Sequence, residues 1–332
     1  MSRRICLTQF GGAEVLELQP VGRPTPRRGE VLVRNHAAAV NFIDTLVRRG
    51  AMPPGSVKLP HVPGVEGAGV VDAVGEGVTS LSAGDPVVWI GPVGAGGYAT
   101  FSLLAPHAIA RLPDGADPTL AAALPVNAVT AWQLLVNLGR VRPGETVLVR
   151  AAAGGVGTML IQLARHLGAN VIAVCSDSKL SYARAQGADH AISSTSDDVP
   201  GQILQLAQGR GVDVACNPVS GDTVPEDLRC LAAFGRLLIF GFLAGPPRGC
   251  FAPDLVQHFT RSVGVSVSDL YTLFNERPDA FKSALEQVLS LHAQGILRPH
   301  VHAVVPLHEA ATAHDMIERG ENLGKVILDI DG

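Results

Sequence analysis

The 332-residue chain is long enough for two domains and a sizeable core. Charged residues make up 17% and aromatics 5%, and the net charge of −4 gives no bulk attraction to nucleic acid or to an anionic membrane. No window approaches the roughly 20 uncharged apolar residues of a membrane span, and the start, "MSRRICLTQF", lacks the apolar core of a signal peptide. Cys6, Cys175, Cys216, Cys230 and Cys250 are scattered and odd in number, which fits free, mostly buried thiols in a reducing cytoplasm.

The first third reads as strands. "EVLVRNHAAAV" (30–40) begins as an apolar strand, "EGAGVVDAVG" (66–75) is Gly-rich and small, and "GEGVTSLSAGDPVVW" follows with two turn signals. Short strands between Gly turns predict a small β-barrel. "AAALPVNAVTAWQLLVNLG" then switches to helical spacing and ends at Gly139. From Thr146 to about Phe242 strands and helices alternate, which predicts a parallel sheet. A helix is expected over 279–294, with Phe281, Leu285, Val288 and Leu291 on one stripe and Gly295 as its stop. The tail, 300–332, reads as one helix and the strand "KVILDI".

The glycine turn carries the chemistry. "ETVLVR" is a buried strand, "AAAGGVG" (151–157) a turn, and Val156, Leu160, Leu163 and Leu167 form one helical face closing at Gly168. Glycines let the backbone approach a pyrophosphate closely, and the helix N-terminus offers free amides and the positive end of the dipole. Gly154, Gly155 and Gly157 do not match G-x-G-x-x-G letter for letter, but strand, turn, helix and the following strand "ANVIAVCSDSK" point to a dinucleotide. An NAD site sets an acid at the end of that second strand. Here Cys175 and Ser176 stand there, with Lys179 just beyond, able to pair with a 2′-phosphate. NADPH is therefore expected, with Asp177 opposing it if its carboxylate points inward.

With "AAAGGVG" stand "NFIDTLVRRG", "PGVEGAG", "GAGGYA", "VTAW" and "GKVIL". In this order they resemble the quinone oxidoreductase, zeta-crystallin-like branch of the medium-chain dehydrogenase/reductase family, over essentially the whole chain. The family's A-x-x-G-x-x-G pattern fits Ala151, Gly154 and Gly157. The resemblance implies an α/β protein: a GroES-like β-barrel catalytic domain from 1–122 and 295–332, and a doubly wound Rossmann nucleotide domain from 123–294, with the active site in the cleft. It implies catalytic-side roles for Asn41 and Asp44. It implies cofactor contacts from Thr130, from Gly154, Gly155, Val156 and Gly157, from Ser176 and Lys179, from Phe240, Gly241 and Phe242, and from Lys325. Each has a plainer alternative: a turn cap for Asn41, a helix residue for Thr130, core for Phe240, a solvated lysine for Lys179.

Zinc-dependent relatives hold their metal with Cys and His, but Val65 stands where they have a histidine and no cysteine lies between Cys6 and Cys175, so no metal is expected. His300 and His302 have the spacing of a surface metal pair but read better as a solvated strand end. Leu46 and Met52 occupy positions where many relatives have tyrosines, Asn217 stands where an aspartate is common, and a second phosphate-side tyrosine is replaced near Ser194. The expected activity is a zinc-independent, NADPH-dependent, cytoplasmic reductase passing hydride to a quinone or similar conjugated carbonyl. The alternatives are an enone or enoyl-thioester reductase, and a low-turnover, crystallin-like NADPH-binding protein. "RSVGVSV" (261–267) is expected either as the edge strand of a homodimer or as an internal strand.

Overall fold

The computed structural model describes residues 2–113, 115–247 and 252–332; Cys250 lies outside them. The chain divides into two compact units. One comprises residues 1–127, 273–289 and 299–332, the other 128–272 and 290–298. Segment 273–289, placed in the nucleotide domain by the expected boundary, falls in the first unit. There Phe274 meets Phe281 edge-on at 4.9 Å and His107 at 4.8 Å.

The first unit is built on a seven-stranded sheet. Val31–Val40 lies at its centre because nearly every residue in it is buried. It pairs antiparallel with Glu66–Val74, Phe101–Leu104 and Lys325–Asp329. Pro86–Ile90 and Ile109–Arg111 extend the sheet on one side, and Val301–Pro306 on the other. The register matters more than the order. Val326 lies opposite Val40 and Gly67 opposite Ala38. Lys325, Glu66 and Asn41 are thereby gathered at one end of three neighbouring strands.

The second unit is a six-stranded, fully parallel sheet. Across it run His190–Ser193, Asn170–Cys175, Thr146–Arg150, Val212–Asn217, Leu231–Ile239 and Gly264–Val267. In chain order that is 3-2-1-4-5-6, the doubly wound arrangement whose strand order reverses between the first and fourth strands. Its strands are continuous apolar runs because helices cover both faces. Leu148, Ile172, Val174, Ala215 and Leu237 form the core with Ile203 and Leu228 of those helices. Gly264–Val267 pairs on one side only, so "RSVGVSV" contains an edge strand.

Two further expectations differ from the structure. The segment ending at Gly139 is not one helix but three pieces: Pro118–Ala122, Pro125–Trp132 and a π-helical turn Gln133–Leu138. Pro125 has no N–H to continue the preceding helix and starts a new one. The Gly139 amide reaches back to Leu134 O at 2.7 Å, five residues away, which widens the last turn. The tail also contains a further strand, Val301–Pro306, whose alternating burial hides it from a search for apolar runs.

Candidate functional site

Asn41 ends a buried strand and caps the helix Phe42–Arg48. Its backbone N–H donates to Asp44 Oδ2 at 2.9 Å, so Asp44 folds back over the helix start. The Asn41 side chain is held on both sides. Its Nδ2 donates to Glu66 Oε1 at 2.8 Å and to Ala39 O at 3.3 Å, and its Oδ1 accepts from Lys325 Nζ at 2.5 Å. Lys325 Nζ also meets Glu66 Oε1 at 2.8 Å and donates to Asn127 Oδ1 at 3.3 Å. Glu66 Oε2 accepts from the Val126 amide at 2.7 Å, the first turn of Pro125–Trp132. Asn41, Glu66, Asn127 and Lys325 are all buried. A buried charge is tolerated where it is paired and its remaining hydrogen bonds are filled, as here. All three Lys325 ammonium hydrogens have oxygen partners inside this unit.

Asp44 is buried beside this group. Its Oδ1 accepts from Gly64 N at 3.1 Å and its Oδ2 from Tyr98 OH at 3.3 Å. Burial pushes its carboxyl up to about 6, against the opposing pull of the Asn41 and Gly64 amides and of Lys325. Tyr98 OH also meets His314 Nε2 at 3.1 Å, and burial, helped by nearby Arg48, lowers that imidazole to about 3. The geometry makes Asp44 an organiser of its surroundings.

The second unit carries the glycine turn. Ala151 takes a left-handed φ of 49°, and helix Gly155–His166 follows with Gly154 as its cap. Gly154 has no side chain to satisfy the amides of the first turn, so they remain open to a ligand. A Cβ on Gly157 would lie 2.5 Å from Ala151 O, so only glycine lets this helix pack so closely on its strand. Val156 is half-buried next to it. At the end of the second strand Ser176 is exposed and Lys179 half-buried, its ammonium lowered by desolvation. Asp177 Oδ2 accepts from Thr195 Oγ1 at 2.9 Å, and hydrogen bonds from Ser193 and Thr195 hold its carboxyl below the usual range. The Asp177 carboxylate is thus engaged with the third strand's end.

Phe240, Gly241 and Phe242 follow the fifth strand. Phe240 and Gly241 are half-buried and Phe242 is 51% exposed. Thr130 is half-buried on Pro125–Trp132. Each sheet thus gathers one set of the expected residues: Asn41, Asp44 and Lys325 on the first; the glycine turn, Ser176, Lys179 and residues 240–242 at strand ends of the second. Glu66, Asn127, Tyr98 and His314 escaped the sequence reading. For Glu66 a signal existed: a lone acid inside the small, apolar run "PGVEGAG". Among the described residues no three His, Cys, Asp or Glu side chains gather as metal ligands would, and Val65 is fully enclosed.

Known proteins resemble this arrangement throughout. Residues 27–114 match the alcohol dehydrogenase GroES-like domain, and residues 155–290 the family described as zinc-binding dehydrogenase. A quinone oxidoreductase of Pseudomonas aeruginosa is 36% identical over 331 residues, 99% of each chain. Escherichia coli quinone oxidoreductase complexed with NADPH superposes with a TM-score of 0.90 at 31% identity, covering 98% of this chain and 99% of that one. The CurK enoyl reductase reaches a TM-score of 0.89 at 28% identity, covering 99% of both. The chain belongs to the quinone oxidoreductase branch of the medium-chain dehydrogenase/reductase family.

Proposed function

We propose that the protein is an NADPH-dependent, zinc-independent reductase of quinones or similar conjugated carbonyls. The observation that carries this is the uncapped glycine turn at the reversal point of a 3-2-1-4-5-6 sheet, with Ser176 and Lys179 at the adjacent strand end. The donor set fits the cofactor: open first-turn amides suit a pyrophosphate, and a hydroxyl with a cation suits a 2′-phosphate. Asp177, held by Thr195, does not oppose it. When bound, NADPH supplies hydride from its nicotinamide. The chain's own residues bind, orient and exclude water. On the first unit, Asn41 is the proposed polar contact for the acceptor and Asp44 holds its helix in place. A reduced quinone oxygen is stabilised by its ring and takes its proton from water, so Leu46 and Met52, which stand in place of proton-donating tyrosines, cost little.

The resemblance to an enoyl reductase favours a second reading, an enone or enoyl-thioester reductase. NADPH oxidation with a benzoquinone, a naphthoquinone, a simple enone and crotonyl thioester separates the two. The quinones should give the highest kcat/KM. A clear lead for enone or thioester selects the second reading, and tight NADPH binding with no turnover selects a binding protein.

The homodimer we propose forms through the edge strand Gly264–Val267; Val267 within it is 69% exposed, and Val256 and Phe259, just before it in the chain, are 74% and 83% exposed. Cys6, Cys175, Cys216 and Cys230 are free and buried, which supports a cytoplasmic setting. No helix among the described residues is long and apolar enough to cross a membrane.

A further inference from the structure

Arg150 is the last residue of the first parallel strand, immediately before the glycine turn, and is 4% exposed. Its Nε donates to Asp227 Oδ1 at 2.7 Å and its Nη2 to Glu226 Oε2 at 2.7 Å. Asp227 sits on the helix Thr223–Cys230 and is fully buried. Its other oxygen accepts from Asn217 Nδ2 at 2.6 Å. Asn217, also fully buried, ends the fourth strand. The relay therefore spans the two strands between which the sheet order reverses.

Asn217 uses its amide in a way no carboxylate can. Nδ2 donates to Asp227 Oδ2 and, at 2.9 Å, to Thr223 Oγ1, while Oδ1 accepts from the Val219 and Ser220 amides at 2.8 Å each. Both donors and both lone pairs are used. Those bonds shape the turn 217–221, where Ser220 and Gly221 take left-handed φ values of 61° and 53°. That turn holds the next one. Leu243 N donates to Pro218 O at 3.0 Å, Ala244 N to Val219 O at 2.8 Å, and Gly221 N to Gly245 O at 3.1 Å. A Cβ on Gly241 would lie 3.0 Å from Pro218 O. The backbone that carries Phe240, Gly241 and Phe242 is thus laid on residues 218–221, which hang from Asn217.

We infer that Arg150, Asp227 and Asn217 are positioning residues for the cofactor. They fix the loops after the fourth and fifth strands relative to the glycine turn. The inference rests on the NADPH reading above. Arg150 anchors Asp227, Asp227 sets the flip of the Asn217 amide, and that amide sets two loops. The groups facing Asp227 are Arg150, Glu226 and the buried thiols of Cys216 and Cys230.

The test exchanges donor and acceptor. Asn217→Asp sets two carboxylates against each other at a contact that is 2.6 Å in the parent, and such a pair must share a proton. At pH 8 it parts and the Val219 and Ser220 amides lose their anchor; at pH 6 it takes up a proton and closes. NADPH affinity, read by nucleotide fluorescence and compared with the parent at each pH, should fall about tenfold or more at pH 8 and return to within about threefold at pH 6. The double substitution Asn217→Asp with Asp227→Asn restores one donor against one acceptor. It should bind NADPH within about threefold of the parent at both pH values. The double variant settles the matter even where Asn217→Asp does not fold. A double variant that fails to fold, or that folds and stays weak, overturns the inference, as does a folded Asn217→Asp with parental affinity at pH 8. A parent that binds neither NADPH nor NADH overturns the functional reading instead.

Discussion

Removing the charge of Glu66 tests the buried group on the first unit. Glu66→Gln leaves the Lys325 ammonium, 5% exposed, without its counter-charge, and turns an amide donor toward either Val126 N–H or Lys325. Breaking one side of a buried pair costs roughly 3–5 kcal/mol, because the surviving charge stays desolvated. Losing an acceptor for a buried amide adds about 1–3 kcal/mol when the geometry cannot relax. We expect a net loss of about 4 kcal/mol, the low end of the two ranges added together. Fully buried Trp89, whose Nε1 donates to Asn35 Oδ1 at 2.9 Å, reports the first unit by fluorescence in a Trp132→Phe background. Urea unfolding then gives the stability of that unit directly. Adding Lys325→Met removes the orphaned cation, and about half or more of the loss should return, as when other buried ion pairs are replaced by apolar groups. At the active site Glu66→Gln should lower kcat with little effect on NADPH affinity, because the residues proposed to hold the cofactor lie on the other unit. A loss below about 1 kcal/mol, or losses from Glu66→Gln and Lys325→Met that simply add, would refute the reasoning.

Three further outcomes are expected. Lys179→Ala should weaken NADPH binding by about 1–3 kcal/mol and leave NADH nearly unchanged, since one charge-assisted contact is lost; equal weakening of both in a titration counts against it. Dialysis against a strong chelator should leave turnover and melting temperature unchanged, and stoichiometric zinc in washed protein would contradict this. His314 lies near 3 in the folded chain against an ordinary 6.5, so as pH falls below 6.5 the unfolded chain takes up its proton first and stability is lost. His314→Gln keeps an amide that can donate to the Tyr98 oxygen and removes that titration. Its stability relative to the parent should rise by about 1.4 kcal/mol per pH unit from pH 6 to pH 4, and a constant gap would refute the shift.

The parts of the fold legible in the sequence are those with a local cause. The strand at 31–40 opens and closes on apolar runs, the turn at 151–157 is glycine-rich for steric reasons, and Gly295 stops its helix with a left-handed φ of 71°. Val301–Pro306 had no such cause, since only Val305 in it is buried. The site divides the same way. Gly154, Gly157, Ser176 and Lys179 lie within one strand–turn–helix–strand stretch, so their chemistry shows in one reading of the sequence. Lys325 and Asn41 are 284 residues apart and meet only because Val326 pairs with Val40. Arg150 and Asp227, 77 residues apart, meet across a switch point that no periodicity marks.

That long-range gathering decides what Asn41 can do under the proposed reaction. Its two Nδ2 hydrogens are not equally held. One goes to Glu66 at 2.8 Å, a charge-assisted bond, and the other to Ala39 O at 3.3 Å, just beyond the usual range and so weaker. An acceptor oxygen can take the second hydrogen while the first stays on Glu66, so the amide need not turn. Lys325 on Oδ1 polarises the same amide and makes that hydrogen a better donor. A donor fixed before the oxygen's charge develops does not have to reorganise as it forms. The buried ion pair, costly as a source of stability, then makes sense as the frame that keeps one amide hydrogen available.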